Sequence, residues 1–213
     1  MRVFLTVYFS WLLAVFIPSD YAIAQRNTAV TNFDRTDSTQ GLLIYSISTT
    51  KPAYSSYYLE VYHLESRKKE KLELLPFREA EIKSDSIKVH YRAIMLPSGD
   101  YKIYGWGMTY NYGSGQKTFF PMGNFGLPFT VFGGRINYLG DYLGTTSLGR
   151  NVFGIKIPSG GYFIVSNRFE EDYEAIINKW PNLDLNGILN SMPDFSENKP
   201  IRSLMFLKGI NIP

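Results

Sequence analysis

The fold class follows from one stretch of the sequence, IKVHYRAIMLPSGDY at residues 87–101. Apolar and polar side chains alternate along its first seven residues, from Ile87 to Ala93. One face would carry Ile87, Val89, Tyr91, Ala93 and Met95, and the other Lys88, His90 and Arg92. This period of two predicts a half-buried β-strand. Pro97 presets one turn dihedral and Gly99 accepts the positive φ of a sharp reversal, so a hairpin is expected after the strand.

Outward from this turn, short segments rich in β-branched and aromatic residues alternate with clusters of Gly, Pro, Ser and Asn. They lie at residues 41–48, 57–64, 71–75, 101–112, 129–132, 135–143, 152–157 and 162–165. A second reversal is expected at residues 157–162, IPSGGY, which repeat the proline and glycine of the first turn. Short strands at this spacing predict a mainly β fold, an antiparallel β-sandwich or small barrel.

One amphipathic helix is predicted near the C-terminal end and is expected to pack on the sheet. Asn167 is placed to cap it, and Pro181 to end it. The buried face is expected to consist of Phe169, Tyr173, Ile176, Ile177 and Trp180. Residues 182–192 are compatible with a short second helix, and the apolar run at 201–207 with either a strand or a helical turn.

The turn LPSGDY at residues 96–101 resembles the hairpin with proline, glycine and tyrosine of carboxypeptidase-regulatory-like, or prealbumin-like, β-sandwich modules. Downstream, FTV at 129–131 and GRINYLG at 134–140 look like the strand pair that follows this hairpin in uncharacterised exported bacterial β-domain families. The resemblance covers a small part of the chain. It implies a β-sandwich and supplies no catalytic residue, since one fold hosts many functions.

The N-terminal residues have the organisation of a secretory signal peptide. Arg2 precedes an apolar run that ends at Ile17, which is shorter than the ~20 residues of a membrane-spanning helix. Ala22 and Ala24 put small side chains where the peptidase requires them, so cleavage is expected before Gln25. The predicted organisation is a signal peptide at 1–24, a flexible polar arm at 25–40 and a single β-rich domain at 41–213.

The composition indicates where the chain works. It contains no cysteine, which excludes disulfides and a lipid-modified cysteine. A signal peptide without cysteines is typical of a bacterial periplasmic or extracellular protein, and no transmembrane segment is expected after cleavage. The formal net charge is only +3 and the cations are mostly scattered, so nucleic acid is not an expected partner.

The most informative stretch for function is YKIYGWGMTYNYG at residues 101–113. Strict alternation would place Tyr104, Trp106, Met108, Tyr110 and Tyr112 on one face. Burial of this face is the favoured interpretation, because aromatic rings dominate cores. If the face is exposed instead, its three tyrosines and Trp106 form a ligand-binding surface that stacks on sugar rings or a peptide.

The sequence gives little support to catalysis or metal binding. No spacing brings His63 or His90 to a nucleophile or to metal-ligating partners. There are enough carboxylates for the two acids of a glycosidase, although acidic first turns also stabilise helices. These carboxylates are Asp141, Glu170, Glu171 and Asp172. We therefore expect no catalytic residue, no metal and no cofactor.

The sequence as a whole predicts an exported, non-enzymatic binding or structural component of the bacterial cell envelope. Its expected partner is an envelope protein or a glycan. The first alternative is a carbohydrate-binding module that uses the aromatic residues 104–112, and exposed rings of Trp106 and Tyr110 would favour it. The second alternative is a small envelope hydrolase, which convergence of a histidine with two carboxylates would favour.

Overall fold

The computed structural model describes residues 33–50, 54–74, 79–84, 86–112, 115–120 and 126–193. The predicted signal peptide, with Ala22, Ala24 and Gln25, and the run at 201–207 lie outside these residues. The described strands are β1 Gln40–Thr50, β2 Ser56–His63, β3 Lys69–Leu74, β4 Ile82–Lys83, β5 Ile87–Pro97, β6 Gly99–Tyr112, β7 Gly115–Phe119, β8 Leu127–Val131, β9 Ile136–Arg150, β10 Lys156–Ser166 and β11 Leu189–Asn190. The helix α1 spans Phe169–Lys179.

These strands form two sheets that pack face to face. The first sheet has the order β10-β9-β1-β5-β4, with β11 beside the start of β9. The second has the order β3-β2-β6-β7, with β8 beside the start of β6. Most pairs are antiparallel, and β1 and β11 run parallel to β9. The predicted mainly β sandwich with one helix is confirmed, and neither sheet closes into a barrel in the described part of the chain.

Strand β1 is buried on both of its faces. Leu43, Tyr45 and Ile47 belong to the core between the two sheets, whereas Leu42 and Ile44 belong to a second core beneath α1. Charge-free apolar runs are typical of strands covered on both sides. The described molecule therefore has three layers, with the first sheet between the second sheet and the helix.

Strand β5 departs from the half-buried pattern that its sequence predicts. Val89 and Tyr91 pack beneath the helix, but His90 and Arg92 on the opposite face are also buried, with 0% and 6% of their surface exposed. His90 pairs with Ile47, a residue of the core between the sheets. The expectation of a polar, solvent-facing side was wrong, because a second sheet covers that side.

The turn between β5 and β6 is not a hairpin, although Gly99 has the expected positive φ of 142°. Strand β5 pairs with β1 and β4 in the first sheet, whereas β6 pairs with β2, β7 and β8 in the second sheet. The Tyr101 hydroxyl donates to the Pro97 carbonyl oxygen at 2.9 Å. The turn is thus a corner that carries the chain from one sheet to the other.

The second predicted reversal lies inside a strand. Residues 157–162 belong to β10, where the register with β9 shifts between Pro158 and Gly160. The proline is accommodated because β10 is an edge strand and carries a β-bulge there. The chain reverses earlier, at residues 151–155, where the Asn151 side chain organises the turn.

The helix α1 forms where the sequence predicts it, but its buried face differs. Asn167 Oδ1 accepts a hydrogen bond from the Phe169 amide at 3.1 Å, next to the helix start. Ile176 is fully buried, whereas Ile177, expected on the same face, is 39% exposed. Asp172 takes an inward position and is fully buried.

The segments that flank the sandwich contact it. Residues 182–192 form turns and β11 rather than a second helix, because Leu183 and Leu185 reach the core beneath α1. Arg35 Nη2 donates to the carbonyl oxygen of Asn186 at 2.6 Å, and Phe33 packs against the same core. The last residues of the predicted arm therefore lie on the domain. No helix in the described ranges is long and apolar enough to cross a membrane.

Candidate functional site

A β-bulge in β6 divides the predicted aromatic ladder. Val61 of β2 pairs with Ile103, and its neighbour Glu60 pairs with Gly105, so Tyr104 is an extra residue without a partner. One extra residue exchanges the two faces of every position beyond it. The expectation that Tyr104 shares a face with the aromatic residues that follow it was therefore wrong.

Trp106 is part of the core between the sheets. It is 1% exposed, and its ring meets the Phe163 ring edge-on, with centroids 5.7 Å apart. Its indole Nε1 finds no hydrogen-bond acceptor among the described residues. This position favours the core interpretation of Trp106 over a sugar-stacking one.

Tyr110 and Tyr112 lie at the far end of β6 in a different environment. Their rings stack with centroids 6.1 Å apart. Tyr110 packs partly against the core, whereas Tyr112 is 52% exposed. The four residues expected to form one ligand-binding surface thus occupy three separate places.

Tyr104 instead joins tyrosines of β2 on the outer face of the second sheet. Tyr62 lies edge-on to Tyr104, with ring centroids 6.3 Å apart, and Tyr58 lies four residues along β2 from Tyr62. Four residues of a strand span about 13 Å. We call this surface the tyrosine face. Its members are Tyr58, Tyr62, Tyr104, the acids Glu60 and Glu73, and the lysines Lys69, Lys71 and Lys102, which outnumber the acids.

Two glycines let side chains lie flat against the tyrosine face. A Cβ atom at Gly107 would be 2.1 Å from Tyr58 Cζ, and one at Gly105 would be 2.3 Å from a Glu60 carboxylate oxygen. Such contacts are far inside van der Waals distance. Because Gly105 and Gly107 have no side chains, the Tyr58 ring and the Glu60 carboxylate can lie directly on the backbone of β6.

Lysine side chains reach over the tyrosine rings. Lys71 Nζ is 3.7 Å from the Tyr58 ring centroid, and Lys102 Nζ is 5.3 Å from the Tyr62 ring centroid. Lys69 Nζ is also 5.3 Å from the Tyr104 ring centroid. These are cation–π distances. Partial burial, followed by the nearby Glu60, raises the pKa of the Tyr104 hydroxyl, which keeps it neutral.

A buried acidic cluster lies on the opposite side of the first sheet, beneath α1. Ser46 Oγ is 2.8 Å from Asp141 Oδ1 and 3.3 Å from Asp172 Oδ2, so one hydroxyl bridges the two carboxyl groups. Ser48 Oγ donates to the same Asp141 oxygen at 2.7 Å. The structure thus brings together two of the four carboxylates that the sequence offered as acids.

Tyrosine hydroxyls hold the second carboxyl group of this cluster. Tyr91 Oη donates to Asp172 Oδ1 at 2.9 Å, and Tyr138 Oη donates to Asp172 Oδ2 at 2.7 Å. Arg168 Nε lies 3.6 Å from Oδ1. Burial, together with the hydrogen bond to this carboxylate, raises the pKa of both tyrosines far above the usual range. These hydroxyls therefore act as fixed donors.

The acidic cluster is enclosed. Asp141 is 2% exposed and Asp172 is 0% exposed. Burial raises the pKa of Asp141 to about 6, and the serine hydrogen bonds oppose the shift. General acid catalysis needs direct contact with the leaving oxygen. In this enclosed position the two carboxyl groups hold the helix to the sheet, while Glu170 and Glu171 are exposed on the helix surface.

The two histidines lie apart from this cluster. His63 Nδ1 accepts from the Ser66 amide at 2.9 Å, and His63 Nε2 lies 3.3 Å from the Ser98 carbonyl oxygen, so this ring fastens two turns together. Both ring nitrogens of His90 are buried without a hydrogen-bond partner among the residues described. Burial, followed by the charge of Arg92, lowers the pKa of His90 to about 4. The described ranges contain no group of three potential metal ligands.

An open groove separates β4 from α1 at the edge of the first sheet. Its volume is about 480 Å³, and Glu81, Glu171, Glu174 and Lys179 line it. Lys179 Nζ contacts the Glu81 carboxylate and donates to the Tyr91 carbonyl oxygen at 2.6 Å. These contacts fasten the end of the helix to β5.

Comparison with known proteins identifies no family. No protein-family model and no curated protein matches the chain. Among solved structures, a leucine-rich repeat protein from Bacteroides thetaiotaomicron is similar at 15% sequence identity and a TM-score of 0.34. The similarity covers 49% of this chain and 14% of that protein, so the chain spans a small part of its length.

Proposed function

We propose that this chain is a non-enzymatic, exported binding domain of the bacterial cell envelope, and that its tyrosine face takes an anionic polysaccharide. One observation carries the proposal. Tyr58, Tyr62 and Tyr104 lie partly exposed on one sheet face, each with a lysine ammonium group over or beside its ring.

The flat tyrosine rings favour a sugar ligand. A pyranose ring presents a flat face of C–H groups, which buries apolar surface when it stacks on an aromatic ring. The tyrosines on β2 extend along the strand for about 13 Å, so the face suits a linear chain better than a single small molecule. Each tyrosine hydroxyl can donate a hydrogen bond to a sugar oxygen.

The lysines favour an anionic ligand over a neutral one. A neutral sugar that stacks on Tyr58 must displace the ammonium group of Lys71 and forfeit its cation–π interaction. A carboxylate or sulfate on the sugar gives that ammonium group a new partner beside the ring, so stacking and charge pairing occur together. Charge pairing at an exposed surface contributes a modest free energy. Because salt screens such charges, binding should weaken as the salt concentration rises.

The enclosed carboxyl groups support a non-enzymatic role. Of the four carboxylates that the sequence offered as acids, Asp141 and Asp172 converge, and neither has surface that a glycosidic oxygen can reach. The exported location rests on the N-terminal sequence, with its apolar run and the small residues before Gln25.

Binding of the purified chain to polygalacturonate tests this proposal, with methyl-esterified polygalacturonate as the uncharged control of the same backbone. Loss of one stacking ring should weaken binding about tenfold, since such contacts contribute about 1.5 kcal/mol. We expect this for Tyr104→Ala and Tyr62→Ala at an unchanged melting temperature. Tyr112→Ala, which removes an exposed tyrosine outside the tyrosine face, should bind normally.

Two results of this titration would refute the proposal. One is equal affinity of the native chain and Tyr104→Ala for polygalacturonate. The other is binding of the esterified polymer as tight as that of the charged one, because the lysines would then contribute nothing.

A further inference from the structure

The turn between β9 and β10 presents apolar side chains directly to solvent. Val152 is 94% exposed, Phe153 is 83% exposed and Ile155 is 59% exposed, and Leu148 on β9 adds a fourth exposed apolar side chain nearby in the hairpin. Single exposed apolar residues are common on protein surfaces, but a contiguous group at a protruding turn marks an interaction site. We call residues 151–155 the apolar tip.

The backbone of the apolar tip is hydrogen-bonded within itself. Asn151 Oδ1 accepts from the Phe153 amide at 3.0 Å and from the Ile155 amide at 2.9 Å. The Gly154 amide donates to the Asn151 carbonyl oxygen at 2.9 Å, and the Asn151 amide donates to that of Ile155 at 3.0 Å. Arg150 Nη1 also donates to the Gly154 carbonyl oxygen at 3.1 Å. Each backbone group that is paired in this way lowers the cost of moving the turn toward an apolar medium.

Two cations lie at the base of the apolar tip, and the strand segments next to it contain no acid. Arg150 and Lys156 pair across the last rung of the hairpin, immediately below the tip. The sequence contains no Asp or Glu between Asp141, which is buried in the first half of β9, and Glu170, so no carboxylate next to the tip offsets these charges. Apolar side chains above a cationic collar match the order of layers in an anionic bilayer, with its acyl boundary below charged headgroups.

We propose that the apolar tip inserts into the surface of an anionic phospholipid bilayer, with Val152, Phe153 and Ile155 at the acyl boundary and Arg150 and Lys156 among the headgroups. The tip fits a lipid surface better than a protein. It consists of a few side chains in one turn, whereas a stable protein interface covers about 800 Å² on each partner. The apolar tip and the tyrosine face consist of different residues, so this proposal does not depend on the proposed polysaccharide binding.

Single cysteines test the insertion, because the chain has none of its own. Val152→Cys carries a polarity-sensitive dye at the tip, and Leu64→Cys carries the same dye at an exposed apolar position in the β2–β3 turn. The chain is purified as cells produce it, and mass spectrometry checks that all variants share one N-terminus. With vesicles of phosphatidylglycerol and phosphatidylcholine, the dye at position 152 should shift to shorter wavelength, and the dye at position 64 should not.

Vesicle sedimentation of unlabelled variants measures the contribution of each group. Phe153→Ser should lower the partition coefficient by about tenfold, because the substitution removes the aromatic ring that would be buried at the acyl boundary. Lys156→Gln should lower it about fivefold, the effect of one cation at an anionic surface. Both positions are exposed, so the melting temperature should not change. The matched control Leu64→Ser should bind as the native chain does.

Several outcomes would overturn the proposal. They are an unshifted dye at position 152, equal partition of Phe153→Ser and the native chain, or equal binding to vesicles of phosphatidylcholine alone. Association of the chain with itself that Phe153→Ser abolishes, without binding to vesicles, would show that the tip meets a protein instead.

Discussion

Replacing Trp106 by alanine tests the division of the aromatic ladder into a buried and an exposed part. Trp106 lies in the core between the sheets with 1% of its surface exposed, whereas Tyr104, two residues earlier, lies on the tyrosine face. The same type of substitution should therefore have opposite consequences at two neighbouring positions. Trp106→Ala should unfold the domain more easily, and Tyr104→Ala should affect only binding.

The magnitude follows from the area that Trp106 buries. An aromatic side chain of this size removes about 150–250 Å² from water, which corresponds to about 4–6 kcal/mol. The indole Nε1 has no acceptor in the described structure, and removing such a buried donor returns about 1 kcal/mol. The expected loss is about 3–5 kcal/mol, the usual range for a buried Trp→Ala change. For a domain of this length it lowers the melting temperature by about 10–15 °C.

Urea unfolding followed by circular dichroism measures the effect, with Trp106→Phe as a matched variant. Trp106→Phe keeps a ring in the core and removes the unpaired N–H, so it should lose less than half as much stability as Trp106→Ala. A Trp106→Ala protein with unchanged stability would refute the assignment of this ring to the core. A loss of several kcal/mol in Tyr104→Ala would refute the assignment of that ring to the surface.

Three further predictions concern the buried titratable groups. The pKa of Asp141 rises from its usual 3.8 to about 6 on folding, so its contribution to stability is lost as pH rises through 6. Asp141→Asn should therefore be more stable than the native chain at pH 7, by up to about 3 kcal/mol, but not at pH 4. The pKa of His90 falls from 6.5 to about 4 on folding, so the native chain loses stability as pH falls below 6.5. Over the same pH range His90→Leu should lose less free energy of unfolding, measured by urea titration. Tyr138→Phe removes a donor from the buried carboxylate of Asp172 and should cost about 1.5–3 kcal/mol by urea unfolding at pH 7.

Local sequence patterns predicted most of the strands and the helix, because period-two alternation and turn residues report on neighbouring positions. The pairing of the strands was harder to predict from the sequence. The turn at Pro97–Gly99 was identified from its residues, but whether it joins two strands of one sheet depends on the pairing of β6 with the distant strand β2. The bulge at Tyr104 was not predicted for the same reason, because the bulge is defined by the register of β6 against β2.

The buried acidic cluster left one signal in the sequence, although Asp172 also fits the acidic first turn that stabilises a helix. Asp172 lies four residues before Ile176, so the two share a helix face, and an acid on the buried face needs partners. Those partners, Tyr91 and Tyr138, come from distant strands. Residues 152–155 were predicted as part of a strand because Val152 and Ile155 favour β structure. In the structure, hydrogen bonds to the Asn151 side chain hold these residues in a turn that precedes β10.

Carbon-13 NMR of the tyrosine rings tests the central claim most directly, because the ligand is expected to touch the tyrosine face itself. The chain contains 16 tyrosines, and single Tyr→Phe variants assign the signals of Tyr58, Tyr62 and Tyr104. On addition of polygalacturonate we expect these three signals to shift together, while those of the buried Tyr45 and Tyr142 remain in place. Unchanged signals from all three rings, or shifts confined to tyrosines outside the tyrosine face, would contradict the account.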